Sequence, residues 1–141
     1  MRKILIGSIV MTAILGLGAR AVIADQAAVE QATKSADAWL KLVDDGKYTA
    51  SYQQAASLFK DQVSAAKWTE KVGAARKPLG PVASRRVKFA QYETTLPGAP
   101  DGQYVVIVYD TSFAHKKAAT ETVTAMLDKD GKWHVAGYFI R

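Results

Sequence analysis

Residues 96–113, LPGAPDGQYVVIVYDTSF, join a segment rich in proline and glycine to an almost continuous apolar run. A short apolar run of β-branched and aromatic residues that follows a turn cluster indicates a central β-strand. Glycine suits the preceding segment because it adopts positive φ angles without steric cost. Asp110 is the lone acid near the end of the run, and we interpret the whole stretch as a turn and a core strand rather than as a site.

Apolar and polar residues alternate with a period of two on both sides of this stretch. This alternation predicts four strands, at residues 82–93, 103–113, 119–128 and 132–140. Their connections are short, and Asp101-Gly102 and Asp130-Gly131 are typical of hairpin turns. Consecutive antiparallel strands with such links form a meander.

Residues 25–77 carry apolar side chains at helical spacing instead. We predict a first helix that Asp25 caps, a second helix over 48–60 in which Ser51 and Gln54 form a capping box, and a third from Ser64. The third helix must stop by residue 77 because a proline follows it.

Helices followed by a meander predict an α+β fold, with the N-terminal helices packed on one face of a four-stranded antiparallel sheet. This order of elements is similar to that of the cystatin-like and nuclear-transport-factor-2-like folds.

The first 24 residues have the pattern of an export signal. Two basic residues precede an apolar run, and Val22 and Ala24 occupy the −3 and −1 positions of a signal-peptidase site. The run is shorter than the roughly 20 residues of a spanning helix. We expect cleavage after Ala24, a single periplasmic or secreted domain over 25–141, and no transmembrane segment after cleavage. An uncleaved anchor is the alternative, since Arg20 is unusual at this place.

Composition excludes several classes of protein. The chain has no cysteine, which rules out disulfides, thiolate metal sites, thiol catalysis and a lipid anchor on cysteine. Its two histidines are far apart, so we expect no metal and no cofactor. Three of the 19 basic residues lie in the first 24 positions, so the net charge falls from +6 to +3 after cleavage, and we expect no nucleic-acid partner.

Five motifs in a fixed order carry a resemblance to a known family. They are WLKLVDDGKYTASY (39–52), RKPLGPVASR (76–85), LPGAPDGQYVVIVYDTSF (96–113), ATETV (119–123) and DGKWHVAGYFI (130–140). Together they resemble the bacterial exported family called domain of unknown function 4019. The resemblance implies a small exported protein without an assigned activity, and it carries no catalytic residues over to this chain.

Strand parity predicts which side chains face the helices. The odd-numbered positions form the more apolar face, and they are Arg85, Val87, Phe89, Val105, Ile107, Tyr109, Phe113, Glu121, Val123, Ala125, Leu127, Trp133, Val135 and Phe139. Gly137 falls on the same face, where it leaves room for Trp39 or Trp68 or marks a bulge.

Arg85 and Glu121 are the two charges on this face. Turn geometry places Arg85 opposite Thr111 or Phe113 and Glu121 opposite Thr111, and an arginine side chain could span the roughly 9.6 Å between alternate strands. One interpretation is a partly buried ion pair; the other is that each side chain reaches water at its strand end. Together with Thr111 and Tyr109 they are the candidate binding residues, and no catalytic residues are predicted.

Three further polar groups have both a functional and a structural interpretation. A basic patch near the hinge between the two halves could bind envelope phosphates or form a solvated rim; its residues are Arg76, Lys77, Arg86 and Lys88. Asp110 and His134 share the other sheet face, where we favour solvation over a His–Asp general base. Asp44, at a helix end, is interpreted as a turn contact to Lys47 or Tyr48.

Three functions stay open. The first, which we favour, is an exported domain without enzymatic activity that binds an envelope protein or a small ligand at the open end between helices and sheet. The second is a small pocket enzyme, a hydrolase or isomerase, that uses an acid such as Glu121 or Asp110. The third is a self-associating module of the cell envelope, such as a homodimer through the outer sheet face. Fold analogy alone supports the last two.

Overall fold

A computed structural model describes residues 16–141 and places a layer of helices against one antiparallel sheet. The helices are α1 (Gly16–Asp44), α2 (Tyr48–Gln53), α3 (Ser57–Gln62) and α4 (Ala65–Arg76), followed by a 3₁₀ turn (Lys77–Leu79). The strands are β1 (Val82–Glu93), β2 (Tyr104–Phe113), β3 (Lys116–Leu127) and β4 (Trp133–Ile140). They pair in the order β1-β2-β3-β4, always antiparallel, which confirms the predicted α+β meander.

The first helix begins earlier than predicted. It runs unbroken from Gly16 through Asp25, so the prediction that Asp25 caps it is wrong. Residues 19–28 are rich in alanine and contain no glycine or proline, so nothing in them interrupts a helix. The predicted cleavage point after Ala24 lies inside this helix, and most of the predicted signal lies outside the described residues. No helix in the described range is long and apolar enough to cross a membrane.

The second predicted helix is in fact two short ones, α2 and α3. The capping box does not form because Ser51 lies inside α2, where its hydroxyl donates to the Tyr48 carbonyl at 2.6 Å. Ser51 is fully buried, and its Oγ accepts a hydrogen bond from Trp68 Nε1 at 2.9 Å while its carbonyl accepts one from Trp39 Nε1 at 2.8 Å. These bonds satisfy both indole nitrogens inside the core.

The boundaries of the other elements follow local chemistry closely. Ser64 caps α4 by accepting a hydrogen bond from the Lys67 backbone N–H at 3.2 Å, as predicted. β3 begins at Lys116, so the turn before it is shorter than expected. Gly131 has the positive φ of a hairpin turn (76°), whereas in the longer loop before β2 it is Gly98, not the glycine of Asp101-Gly102, that takes positive φ (76°).

Four aromatic rings fill the space between the helices and β4. Phe59 on α3 and Trp68 on α4 have ring centroids 4.9 Å apart, and Trp39 on α1 lies 5.6 Å from Trp68. Tyr138 on β4 closes the group at 5.4 Å from Trp39. Tilted and edge-on pairs of this kind contribute about 0.5–1.5 kcal/mol each beyond the area that they bury.

Two β-bulges change the predicted facing of the edge strands. The register of β1 shifts between Val87 and Phe89, and the register of β4 against β3 shifts between Val135 and Gly137. Side-chain parity reverses beyond each bulge. Phe89 and Phe139 therefore lie on the outer face, 50% and 52% exposed, and the prediction that they face the helices is wrong.

The bulge in β4 also decides the position of Gly137. Gly137 pairs with Thr124 on the outer face, so it does not make room for a tryptophan, although the bulge beside it matches the alternative prediction. Tyr138 takes the inward position instead. On β1, Val87 keeps its register opposite buried Tyr109 but is 43% exposed, because β1 is an edge strand.

Candidate functional site

A buried polar cluster lies where the sheet meets the ends of α1 and α4, and Glu121 on β3 is at its centre. The Glu121 side chain is fully buried. Its Oε1 accepts hydrogen bonds from Arg85 Nε at 2.7 Å and from Thr111 Oγ1 at 2.6 Å, and its Oε2 accepts one from the Tyr138 hydroxyl. The predicted ion pair of Arg85 with Glu121 is therefore present, and donors of this chain occupy both carboxylate oxygens.

Asp44, at the C-terminus of α1, completes the buried polar cluster on its solvent-facing side, where the Asp44 side chain is 24% exposed. Its Oδ2 accepts from Arg85 Nη1 at 2.7 Å, and its Oδ1 accepts from Arg85 Nη2 at 2.9 Å and from Arg76 Nη2 at 2.7 Å. The interpretation of Asp44 as a turn contact to Lys47 or Tyr48 is thus wrong. An acid at a helix C-terminus is unfavourable, so its position was a signal that cations from elsewhere in the fold compensate it.

Charge within the buried polar cluster balances, since two guanidinium groups face two carboxylates. Burial alone would raise the pKa of Asp44, but hydrogen bonds from Arg85 and Arg76 hold that pKa below its ordinary value. Burial would lower the pKa of Arg85, but hydrogen bonds to Asp44 and Glu121 raise it instead. Burial and the charge of Glu121 both raise the pKa of the Tyr138 phenol. At neutral pH, Asp44 is ionised, Arg85 is charged and Tyr138 is a donor.

Arg76 belongs to the buried polar cluster and not to an exposed patch. It is 6% exposed, and its guanidinium lies 5.0 Å from the centroid of the Phe113 ring. Its Nε is buried and has no hydrogen-bond partner among residues 16–141. The other three residues of the predicted basic patch are exposed: Lys77, Arg86 and Lys88. The structure therefore divides the predicted patch.

Tyr109 has a different role from the other candidate binding residues. It lies opposite Glu121 in the strand register, so the prediction that Glu121 lies opposite Thr111 is wrong: Thr111 pairs with Ala119. The Tyr109 hydroxyl donates to Asp37 Oδ1 on α1 at 2.8 Å. Burial and the bond to Asp37 raise the pKa of the phenol. Thr111, Arg85 and Glu121 contact one another, whereas Tyr109 joins α1 to β2.

Asp110 and His134 lie far apart on the sheet. Asp110 is opposite Thr120 and His134 is opposite Met126, a separation of six residues, or about 20 Å, along β3. Asp110 accepts a hydrogen bond from Arg86 Nη2 at 3.0 Å. A His–Asp general base made of these two residues is therefore excluded.

An apolar groove of about 370 Å³ runs between α4 and β4, and we call it the α4–β4 groove. One charged residue, Lys71, lies in its wall. The other lining residues are apolar or aromatic: Phe59, Val63, Trp68, Val72, Ala75, Tyr138, Phe139 and Ile140. Because β4 is an edge strand, one wall of the groove is the free edge of the sheet. Sequence parity missed the groove, since the β4 bulge brings Tyr138 and Ile140 to the inner face.

The described residues also contain a polar depression of about 420 Å³ beside Arg86, Asp110 and Lys117. It is open to solvent and is lined by hydroxyl and charged side chains together with Ala118 and Ala119. Within residues 16–141, no three histidine, aspartate or glutamate side chains gather at metal-binding distances.

Comparison with known proteins places these features in a family. The chain matches a family model described as "Protein of unknown function (DUF4019)" over residues 35–138. That range contains every residue of the buried polar cluster and most of the α4–β4 groove. A search of curated proteins found no significant match.

Proposed function

Because the chain belongs to the DUF4019 family, whose description assigns no activity, we propose its function from its geometry: it is an exported, non-enzymatic domain that binds a protein partner in the α4–β4 groove. The α4–β4 groove is the observation that carries the proposal. Its floor contains the buried Phe59, Trp68 and Val72, and Phe139, which is 52% exposed, lies at its rim beside the free sheet edge. An apolar groove beside an open edge strand is typical of a binding site.

The buried polar cluster supports binding over catalysis. A general acid or base must reach its substrate within hydrogen-bonding distance. Glu121 is fully buried, and both of its oxygens already accept hydrogen bonds within the fold. Asp110 is bonded to Arg86 on an open surface, with no second acid or histidine beside it among its hydrogen-bonding partners.

Export is the second part of the proposal, and its support is the signal pattern of the first 24 residues. The test is to fractionate cells that produce the full chain and to measure the mass of the protein. A periplasmic or secreted form that begins at Asp25 is expected. A cytoplasmic form that keeps Met1 would contradict export without touching the binding proposal.

Binding in the groove is tested by photo-crosslinking in the same cells. A photoreactive residue replaces Lys71 in the groove wall or, as the matched control, the exposed Lys88 on the opposite edge strand. We expect one discrete adduct from position 71 and none from position 88. Ala75→Glu, which puts a charge into the groove from an exposed helix position, should abolish the adduct. An adduct that survives Ala75→Glu, or that forms equally at position 88, rejects the proposal.

A second candidate function is self-association through the outer sheet face. Strand register aligns Phe89, Val108, Thr122 and Phe139 in one row across all four strands, with an exposed phenylalanine at each end. The row spans three strand spacings, about 14 Å. A dimer in sedimentation velocity that dissociates when Phe89→Ser is introduced supports this candidate. A monomer at all concentrations rejects it.

A further inference from the structure

The free edge of β4 has unused backbone groups directly beside the α4–β4 groove. Arg141 and Thr120 exchange both backbone hydrogen bonds, at 2.9 and 3.0 Å, which makes them a hydrogen-bonded pair of the β3–β4 ladder. Such pairs alternate along antiparallel strands. Tyr138 and Ile140 are therefore non-hydrogen-bonded positions, and their N–H and C=O groups point away from β3. Neither residue has another backbone partner within the described range.

The first half of the same edge is already covered by the chain itself. The Ala56 backbone N–H donates to the Val135 carbonyl at 2.8 Å, where the segment between α2 and α3 lies against β4. An unprotected edge strand is a template for pairing with another chain, and proteins commonly cover it. The edge of β4 is thus divided into a covered half and an open half, and the open half is the one that borders the groove.

The geometry of a β-strand also determines where the side chains of an added strand would lie. A strand paired with Tyr138 and Ile140 would alternate its side chains between the two faces of the sheet. One set would enter the α4–β4 groove toward Trp68 and Val72, and the other would lie on the outer face beside Phe139. An apolar residue at every second position of the partner fits the groove.

The charged side chains around the open edge indicate that the polar residues of such a strand are acidic. Lys71 is the charged residue of the groove wall, and the Arg141 guanidinium lies 5.1 Å from the centroid of the Phe139 ring at the end of the open edge. Neither side chain forms an ion pair with another residue of 16–141. A second copy of the chain would bring the same cations to the shared edge, whereas an acidic segment would neutralise them.

On the basis of the proposed function, we infer that the partner is an extended acidic segment that adds a fifth strand to the open half of the β4 edge. Main-chain hydrogen bonds to Tyr138 and Ile140 supply affinity, and the groove and the two cations supply specificity.

The test uses a blocked eight-residue peptide in which valine alternates with aspartate and threonine. Binding to the purified protein is followed by fluorescence anisotropy and by amide exchange in NMR. We expect the Tyr138 and Ile140 amides to become protected on binding. Replacing the aspartates of the peptide with lysine should abolish binding. Two further peptides carry methyl groups on the backbone nitrogens of either the odd-numbered or the even-numbered positions. One of these two methylated frames should abolish binding, because the N–H groups that it blocks pair with β4, and the other should leave binding intact.

Variants at position 140 separate the backbone from the side chain. Ile140→Pro removes an N–H that points to the free edge and leaves the β3 ladder intact. Ile140→Ala removes most of the same side chain but keeps the N–H. We expect Ile140→Pro to weaken peptide binding about tenfold more than Ile140→Ala does, which is the loss of one backbone hydrogen bond. Equal affinities for the two variants overturn strand addition.

The other outcomes are also decisive. Equal binding of both methylated frames rejects the added strand but leaves groove binding in place. The same follows if the peptide does not bind while the crosslink at position 71 persists. Equal or tighter binding of the lysine peptide rejects the acidic partner. Protection of Tyr138 in a dimer of the free protein would make a second copy the occupant and overturn the inference. Absence of the crosslink both at position 71 and at Val63, a groove residue whose replacement keeps the Lys71 cation, counts against the proposed function instead.

Discussion

Removing the Glu121 carboxylate should destabilise the fold strongly. Glu121→Ala deletes the acceptor of three hydrogen bonds and leaves the buried Thr111 hydroxyl and one side of Arg85 without a partner. It also leaves two guanidinium groups facing a single carboxylate, that of Asp44. Breaking a buried pair by removing one partner has a large cost because the other charge stays desolvated.

The size of the effect follows from these contacts. Three bonds to a charged group would sum to about 4.5–9 kcal/mol at about 1.5–3 kcal/mol each. Arg85 keeps its two bonds to Asp44, however, so part of that energy is retained. We expect the free energy of unfolding to fall by about 3–5 kcal/mol. With a urea slope of about 2 kcal/mol per molar, the unfolding midpoint falls by about 1.5–2.5 M.

Urea denaturation followed by tryptophan fluorescence measures this change. Glu121→Gln keeps the shape and the two bonds that Oε1 accepts, but it loses the charge and the acceptor of the Tyr138 hydroxyl. It should lose about 1–3 kcal/mol, so it stays measurable if Glu121→Ala unfolds. Glu70→Ala, which breaks an exposed pair with Lys67, is the matched control and should change stability by less than about 1 kcal/mol. A Glu121→Ala midpoint equal to that of Glu70→Ala would refute the reasoning.

Three further predictions follow from other contacts. Asp44→Asn should destabilise the protein at pH 7, and the difference from the wild type in urea titrations should shrink below about pH 4. The reason is that the lowered pKa of Asp44 gives stability that is present above the ordinary pKa of the carboxyl and is lost as the pH falls through its value in the folded state. A difference that stays constant down to about pH 2 contradicts this. Trp68→Phe removes the indole bond to Ser51 and should lower the free energy of unfolding by about 1–2 kcal/mol, whereas no change would show that the bond contributes nothing. Arg86→Ala breaks an exposed pair with Asp110 and should change thermal stability by less than about 1 kcal/mol; a larger loss would mean that this surface pair is part of the packed structure.

Local patterns were sufficient to predict most of the fold. Alternation along 103–113 and the turn signal at Asp130-Gly131 predict the meander, and Ser64 predicts the start of α4 correctly. The ion pair of Arg85 with Glu121 is one of two interpretations that parity allows, because both are charged positions on an apolar face, and the structure contains it although Glu121 lies opposite Tyr109 and not Thr111. These features depend on residues near in sequence or on strands joined by short turns.

The rest depends on contacts that periodicity does not contain. An extra residue between Val87 and Phe89 reverses the facing of Phe89, and one between Val135 and Gly137 reverses that of Phe139. Parity cannot show where such a bulge occurs. Asp44 finds its two arginines 32 and 41 residues away, so its position at a helix end signals a need for cations without naming them. The α4–β4 groove follows from the second bulge and therefore could not be predicted either.

Amide exchange along β4 in the free purified protein tests the central claim most directly. An open edge predicts that the Tyr138 and Ile140 amides exchange rapidly with solvent, while those of Gly137 and Phe139, which point to β3, are protected. This alternating pattern of exchange rates would show that the half of β4 beside the groove is available to a partner. Equal protection of all four amides would contradict the account, because it would mean that the edge is already paired.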